Sequence, residues 1–443
     1  MNNNKPTILI IFGVSGDLAK RYLLPAIGAI ANAGMLPEQF HIVGLTRQSN
    51  IEINSLLKKT SNIEYLRSHI SLHQIDVANV DDYKKLGDYL DELEKSFNAP
   101  AERLFYLSVP PQVSKSVIEL LGKSLLSKNG DVKLLLEKPF GINLENATEL
   151  THHIEQYFLP EQVYRVDHYL AKETVQNIIV FRDGNSLFKK TWNKNFIESI
   201  EIIVSEEIGI EGRTNFYEKT GALRDMVQSH LLQLLALVLM ELPDDDKLNE
   251  VPQLRLKALK HLSILDIEKD ARRGQYDGYL EEVNNKESSV ETFVSVTLVS
   301  SDPRWVGVPI TLTTGKALKN KLTEIRILYK KEKAHESNEL FLQLQPKEEI
   351  QFNMWAKRPG YEYLISPHNL SFKYKEHYDV LPEAYEQVLF NAINSDHSLF
   401  TSSNEILEAW RILDVLQKTW QKSGKGLIIY KKGSTINEVI DIK

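Results

Sequence analysis

Residues 164–173, YRVDHYLAKE, place an Arg, an Asp, a His, a Lys and a Glu within one short stretch. Two kinds of chemistry are open to them. His168 and Lys172 are four apart, so on a helix they would share a face. Together they could hold a dianionic phosphate, although a solvated charged face has the same composition. Asp167 could orient a histidine from another segment and stabilise its charged form. His230, inside GALRDMVQSHLLQLL (221–235), is the histidine available for that role. Histidine is suited to take a proton near neutral pH, but one inside an apolar helix is more often a core residue with satisfied ring nitrogens. Asp225 precedes His230 by five residues, about 140° around an ideal α-helix, so direct pairing on one face is not expected. Lys138 precedes Pro139, which favours extended geometry at a strand end.

These groups need a frame, and the first part of the chain alternates between two patterns. TILIIF (7–12), HIVGLT (41–46), HQID (73–76), RLFYLSV (103–109) and VKLLLEKPFG (132–141) read as strands. Helical stretches at about 17–33, 81–97 and 114–126 separate them. Alternating strands and helices predict a parallel sheet covered on both faces. After about residue 175 the runs change character. Segments 196–207, 291–301, 308–315, 322–329 and 338–346 carry β-branched residues or period-two alternation. They predict a large, mostly antiparallel sheet, covered by helices over 221–240, 381–395 and 403–421. The expected division is 1–170, a Rossmann-like α/β domain, and 171–443, an α+β domain that binds substrate and mediates oligomerisation. YRVDHYLAKE falls on that boundary, and clefts between domains favour ligands.

The turn after the first strand, FGVSGDLAK, has Gly13 and Gly16 for close backbone approach, Ser15 as a donor, and Asp17 opening a helix whose free N–H groups favour an anion. Its spacing is Gly-x-x-Gly rather than G-x-G-x-x-G. An ordinary strand–helix turn capped by Ser15 or Asp17 would look similar, but the position after the first strand favours a dinucleotide. Arg47 follows the second strand, where an acidic residue would suit NAD; an Arg there suits a 2′-phosphate and hence NADP, with NAD the weaker alternative.

Composition removes several classes. The 443 residues are 42% hydrophobic, enough for more than one core. With 53 basic against 60 acidic residues, a net charge of −7, a general nucleic-acid binder is not expected. The absence of Cys excludes thiolate nucleophiles and thiolate metal sites, and no metal is expected. The ten-residue run LLQLLALVLM (231–240) is shorter than the ~20 residues that cross a bilayer. MNNNKPTILIIFG leads into a loop and reads as a first strand rather than a signal peptide. A soluble, cytoplasmic protein is expected.

Taken in order, GVSGDLAKRYLLPAI, VGLTRQS, RLFYLSVPP, LLLEKPFG, YRVDHYLAKE, GALRDMVQSHLLQLL, VPITLTTGKALKNK and EAWRIL (408–413) resemble the glucose-6-phosphate dehydrogenase family over most of the chain. The resemblance implies oxidation of glucose 6-phosphate to 6-phosphoglucono-1,5-lactone with NADP, the first step of the oxidative pentose phosphate pathway. It implies that His230 is the base and that Asp167 orients it. His168, Lys172 and Tyr169 would hold the substrate phosphate. Lys138 would touch the substrate and lie near the nicotinamide. Glu206, Asp225, Lys316 and Lys321 would hold the rest of the substrate. Gly13, Ser15, Gly16, Asp17 and Arg47 would line the cofactor site. A homodimer or homotetramer and a cis Pro139 are implied too. Ala171, Ser229 and Thr313 depart from the family's usual residues. The competing readings are a catalytically silent NADPH-binding regulator and a dehydrogenase for a different sugar phosphate.

Overall fold

The computed structural model describes residues 5–128, 131–244, 247–331, 336–423 and 426–442. Contacts divide the chain into two compact units: Met1–Ala171 with Asp245–Pro252 and Pro382–Leu407, and Lys172–Asp244 with Gln253–Leu381 and Glu408–Lys443.

The first unit contains β1 (Thr7–Phe12), β2 (Phe40–Thr46), β3 (Ile70–Gln74), β4 (Glu102–Leu107), β5 (Val132–Leu136) and β6 (Val163–Val166). Their order is β6-β5-β4-β1-β2-β3, all parallel, with Phe400–Thr401 added antiparallel outside β6. Every residue of β1, β4 and β5 is buried. A strand covered on both faces has no solvent side to alternate with, so these runs are apolar almost throughout. Crossover helices begin where the sequence provides caps. Asn79 accepts from the N–H of Asp81 ahead of Val80–Ser96, and Asn143 accepts from Asn146 ahead of Leu144–Glu155. Pro111 starts Pro111–Lys123 at the position where a missing N–H costs nothing.

The unit is not one continuous stretch, as a division at residue 170 would have it. Helix Ala384–Ile393 buries Val388, Leu389, Ala392 and Ile393 in the same apolar cluster as Leu23, Ile27 and Ile42. Long-range burial, which local pattern does not encode, returns this segment to the first unit.

The segment is also held at the N-terminal ends of the strands. Lys133 forms an ion pair with Glu102 at 2.6 Å and donates to the carbonyls of Ala392 (2.6 Å) and Ile393 (3.2 Å). Burial pushes the Glu102 carboxyl up and the Lys133 amine down, in each case against the attraction of the partner. The pair therefore acts more as a register lock than as a source of net stability.

The second unit is built on a ten-stranded sheet. From one edge the order is Ile365–Lys373, Glu349–Lys357, Glu339–Gln345, Leu322–Tyr329, β7 (Ile197–Ser205), Ile310–Gly315, Phe293–Ser300, Ala271–Tyr276 and Leu427–Tyr430, with Leu262–Ser263 pairing Phe293–Ser300. Neighbours run antiparallel except β7 with Ile310–Gly315 and Ala271–Tyr276 with Leu427–Tyr430. The mostly antiparallel sheet is thus as expected. Glu349–Lys357 is half-buried and Ile365–Lys373 mostly exposed, and with their Asn, Gln, His and Ser residues neither shows the apolar pattern of a strand. Helix Leu232–Leu239 is buried along its whole length. Arg182 closes its far end by donating to the carbonyls of Leu237 and Met240 at 2.6 and 2.7 Å. Among the described residues, no helix is long and apolar enough to cross a membrane.

Lys133→Met leaves Glu102 buried without its ion-pair partner and removes a donor from the carbonyls of Ala392 and Ile393. It is expected to cost about 3–5 kcal/mol, read as a lower urea midpoint. Adding Glu102→Leu should recover much of that loss.

Candidate active site

The parallel sheet of the first unit delivers its candidates to the C-terminal ends of the strands, where open α/β sheets bind ligands. Gly13, just after β1, has φ +79°, and a Cβ placed there would lie 2.4 Å from the carbonyl oxygen of Ser108. Its N–H and that of Val14 both donate to Leu45 O, at 3.0 and 3.2 Å. Gly16 N–H closes the turn on Gly13 O at 2.9 Å. The helix over 17–32 starts directly afterwards, so its first N–H groups have no intrahelical acceptor. Ser15 Oγ lies 3.4 Å from Thr46 Oγ1 at the end of β2. Next to it Arg47 is exposed, its carbonyl accepting from Gln74. A bare backbone turn, open helix N–H groups and an exposed guanidinium fit the phosphates of a dinucleotide. Asp17 is exposed beside them.

Lys138 stands two residues beyond β5, partly buried, and the Lys138–Pro139 bond is cis. Asp167 follows β6 directly and is 2% exposed. Its Oδ1 accepts from Tyr169 N–H at 2.9 Å, and Leu170 N–H donates to its carbonyl at 3.1 Å. This fixes a turn, not a helix: residues 168–171 are turn residues, and the next helix, Glu173–Gly184, starts after Lys172. A shared helical face is therefore not what relates His168 to Lys172. The Asp167 side chain captures the backbone before a helical turn can form. His168 and Tyr169 set their rings edge to face, centroids 5.0 Å apart. Ala171 is fully buried and is not among the described residues with positive φ.

In the second unit, β7 and Ile310–Gly315 are parallel neighbours that pair Ser205 with Gly315 at their C-terminal ends. The next residues, Glu206 and Lys316, form an ion pair. Lys316 is 4% exposed and lies 5.4 Å from the centre of the Tyr217 ring. Lys321 is exposed on the connection that follows, and its N–H donates to Glu207 at 3.2 Å. Lys172 is half-buried at the start of its helix.

His230 is 2% exposed, in a segment that differs from the expected α-helix. Leu223–Leu231 is a π-helix, with i→i+5 closure. Residue 230 is therefore one hydrogen-bonded turn after residue 225, not far around the cylinder. The 140° separation of Asp225 and His230 expected for an α-helix therefore does not apply. Ser229 donates its hydroxyl back to Asp225 O at 2.8 Å. Thr313 Oγ1 lies 3.0 Å from Ser295 Oγ on the facing strand.

Sequence reasoning missed Glu291. Its carboxylate accepts from Leu223 N–H at 3.0 Å, where the π-helix starts. Gly221, with φ +62°, has no room for a Cβ, which would meet Glu291 Oε1 at 2.4 Å. Burial pushes the Glu291 carboxyl up. Gly221 in GALRD was the only local signal for this cap.

Comparison with known proteins matches two consecutive parts of the chain. The family described as glucose-6-phosphate dehydrogenase, NAD binding domain, matches residues 10–177, and glucose-6-phosphate dehydrogenase, C-terminal domain, matches 179–441. The glucose-6-phosphate 1-dehydrogenase of Chlamydia muridarum is 37% identical, covering 94% of this chain and 91% of the relative. That of Bacillus subtilis is 33% identical, covering 98% and 95%. A solved glucose-6-phosphate dehydrogenase in complex with its substrate glucose-6-phosphate superposes with a TM-score of 0.93 at 31% identity, covering 100% of this chain and 99% of that one. With both halves matched in order and over nearly their whole length, the chain belongs to the glucose-6-phosphate dehydrogenase family.

Proposed function

We propose that this chain oxidises glucose 6-phosphate at C1 to 6-phosphoglucono-1,5-lactone and reduces NADP. The observation that carries the reading is the likeness, over the whole chain, to a relative solved with glucose 6-phosphate bound. In this reading His230 takes the proton of the C1 hydroxyl while the C1 hydrogen leaves with its electron pair. A nicotinamide cofactor held at the Gly13–Asp17 turn would supply the acceptor for that hydride. Asp167 orients His230 and stabilises its imidazolium form. His168, Tyr169 and Lys172 hold the phosphate of the substrate. Glu206, Asp225, Lys316 and Lys321 hold the sugar, and Lys138 holds it close to the nicotinamide. Gly13, Ser15, Gly16 and Asp17 line the cofactor site, and Arg47 selects the 2′-phosphate of NADP over the hydroxyl of NAD. A cytoplasmic homodimer or homotetramer goes with this assignment, and sedimentation would test the oligomer.

His230→Asn removes the proton acceptor and keeps the size of the side chain. Turnover should fall by about 10²-fold or more, the range of general base catalysis, with NADP affinity near that of the unchanged chain. A variant that keeps most of the rate would remove His230 from the role of base. Arg47→Ala should raise the KM for NADP by about tenfold and leave that for NAD nearly unmoved. Equal effects on both would contradict the 2′-phosphate assignment.

A further inference from the structure

Glu137 has partners that the proposed mechanism does not use. It lies between the end of β5 and Lys138. Tyr106, fully buried on β4, donates its hydroxyl to Glu137 Oε1 at 2.5 Å. The hydroxyl of Tyr385, at the start of Ala384–Ile393, interacts with the same carboxyl. Tyr106 is paired in register with Leu135, so positions 106 and 137 belong to one face of the sheet. The Tyr385 ring lies 5.3 Å from that of Tyr22, in the helix that opens at the Gly13–Gly16 turn. All of these residues belong to the first unit.

One hydroxyl would satisfy a carboxyl oxygen. Two, from different elements, fix the carboxyl group in space and with it the backbone at 137. Lys138 then leaves the strand end from a set point. Burial pushes the Glu137 carboxyl up most strongly, the two hydroxyls and the Lys138 amine pull it down, and Asp167 pushes it up further. The groups facing Glu137 are thus Tyr106 from β4, Tyr385 from its helix, Lys138 beside it in sequence, and Asp167 after β6.

We propose that Glu137, held by Tyr106 and Tyr385, is a positioning residue that sets the placement of Lys138. The proposal rests on the oxidation of glucose 6-phosphate proposed above. It extends that site to a tyrosine almost 250 residues away along the chain.

The test compares the full-length chain with Glu137→Gln, Glu137→Ala and Tyr385→Phe. The readouts are NADP affinity by fluorescence titration and kcat/KM for glucose 6-phosphate. Glu137→Ala should lower kcat/KM by about tenfold or more through misplaced Lys138, with NADP affinity within about twofold. Tyr385→Phe should cause a smaller fall of the same kind. Glu137→Gln, which still accepts a tyrosine hydrogen bond, should recover much of the rate. A merely structural role would instead lower NADP affinity and kcat/KM together and would not be rescued by Gln. Glu137→Ala within twofold of the unchanged chain, or Glu137→Gln as impaired as Glu137→Ala, would overturn the proposal. If the unchanged chain fails to reduce NADP with glucose 6-phosphate, the substrate assignment falls first and this proposal with it.

Discussion

At Gly13 the backbone runs so close to Ser108 that a Cβ would sit 2.4 Å from the carbonyl oxygen. Only glycine allows this, since the position also has φ +79°. That approach lets the chain turn directly from β1 into the helix over 17–32, with the N–H groups of Gly13 and Val14 tied back to Leu45. The carbonyl end of the central strand and the open end of a helix then lie together. Parallel pairing does the rest: β2, β5 and β6 end on the same side as β1, so Arg47, Lys138 and Asp167 stand at one edge of one sheet. At the opposite ends of the strands, Glu102 and Lys133 hold the register.

The second unit reaches its arrangement by a different device. Its sheet is mostly antiparallel, but Glu206 and Lys316 follow two neighbouring strands that run parallel, so they meet at the same end of the sheet although 110 residues separate them along the chain. Glu291 caps the π-helix that carries Asp225 and His230, at a turn where Gly221 leaves no room for a side chain. π-Turns are uncommon and costly in hydrogen-bond geometry, and they concentrate at functional sites. The one here is capped at its start and buried at seven of its nine residues.

The parts legible in the sequence were those written locally. Six buried residues in TILIIF, a Gly-x-x-Gly turn and a Lys-Pro step each carry their own backbone consequence, so the parallel sheet and the positions of Gly13 and Lys138 could be read directly. Residues 168–172 could not, because spacing of four suggests a helix only if the backbone is helical, and the Asp167 carboxylate holds a turn instead. The relation of Asp225 to His230 was misjudged for a similar reason: composition does not distinguish α from π closure. The return of 382–407 to the first unit, and the clasp of Tyr385 on Glu137, depend on packing between distant segments and leave no periodic trace.

The measurement that tests the central claim most directly is the near-ultraviolet absorbance of reduced nicotinamide, followed with purified protein, glucose 6-phosphate or free glucose, and NADP or NAD. The account predicts rapid reduction of NADP with glucose 6-phosphate, and little with free glucose or with NAD at the same concentration. A folded chain that reduces neither cofactor with glucose 6-phosphate would contradict it.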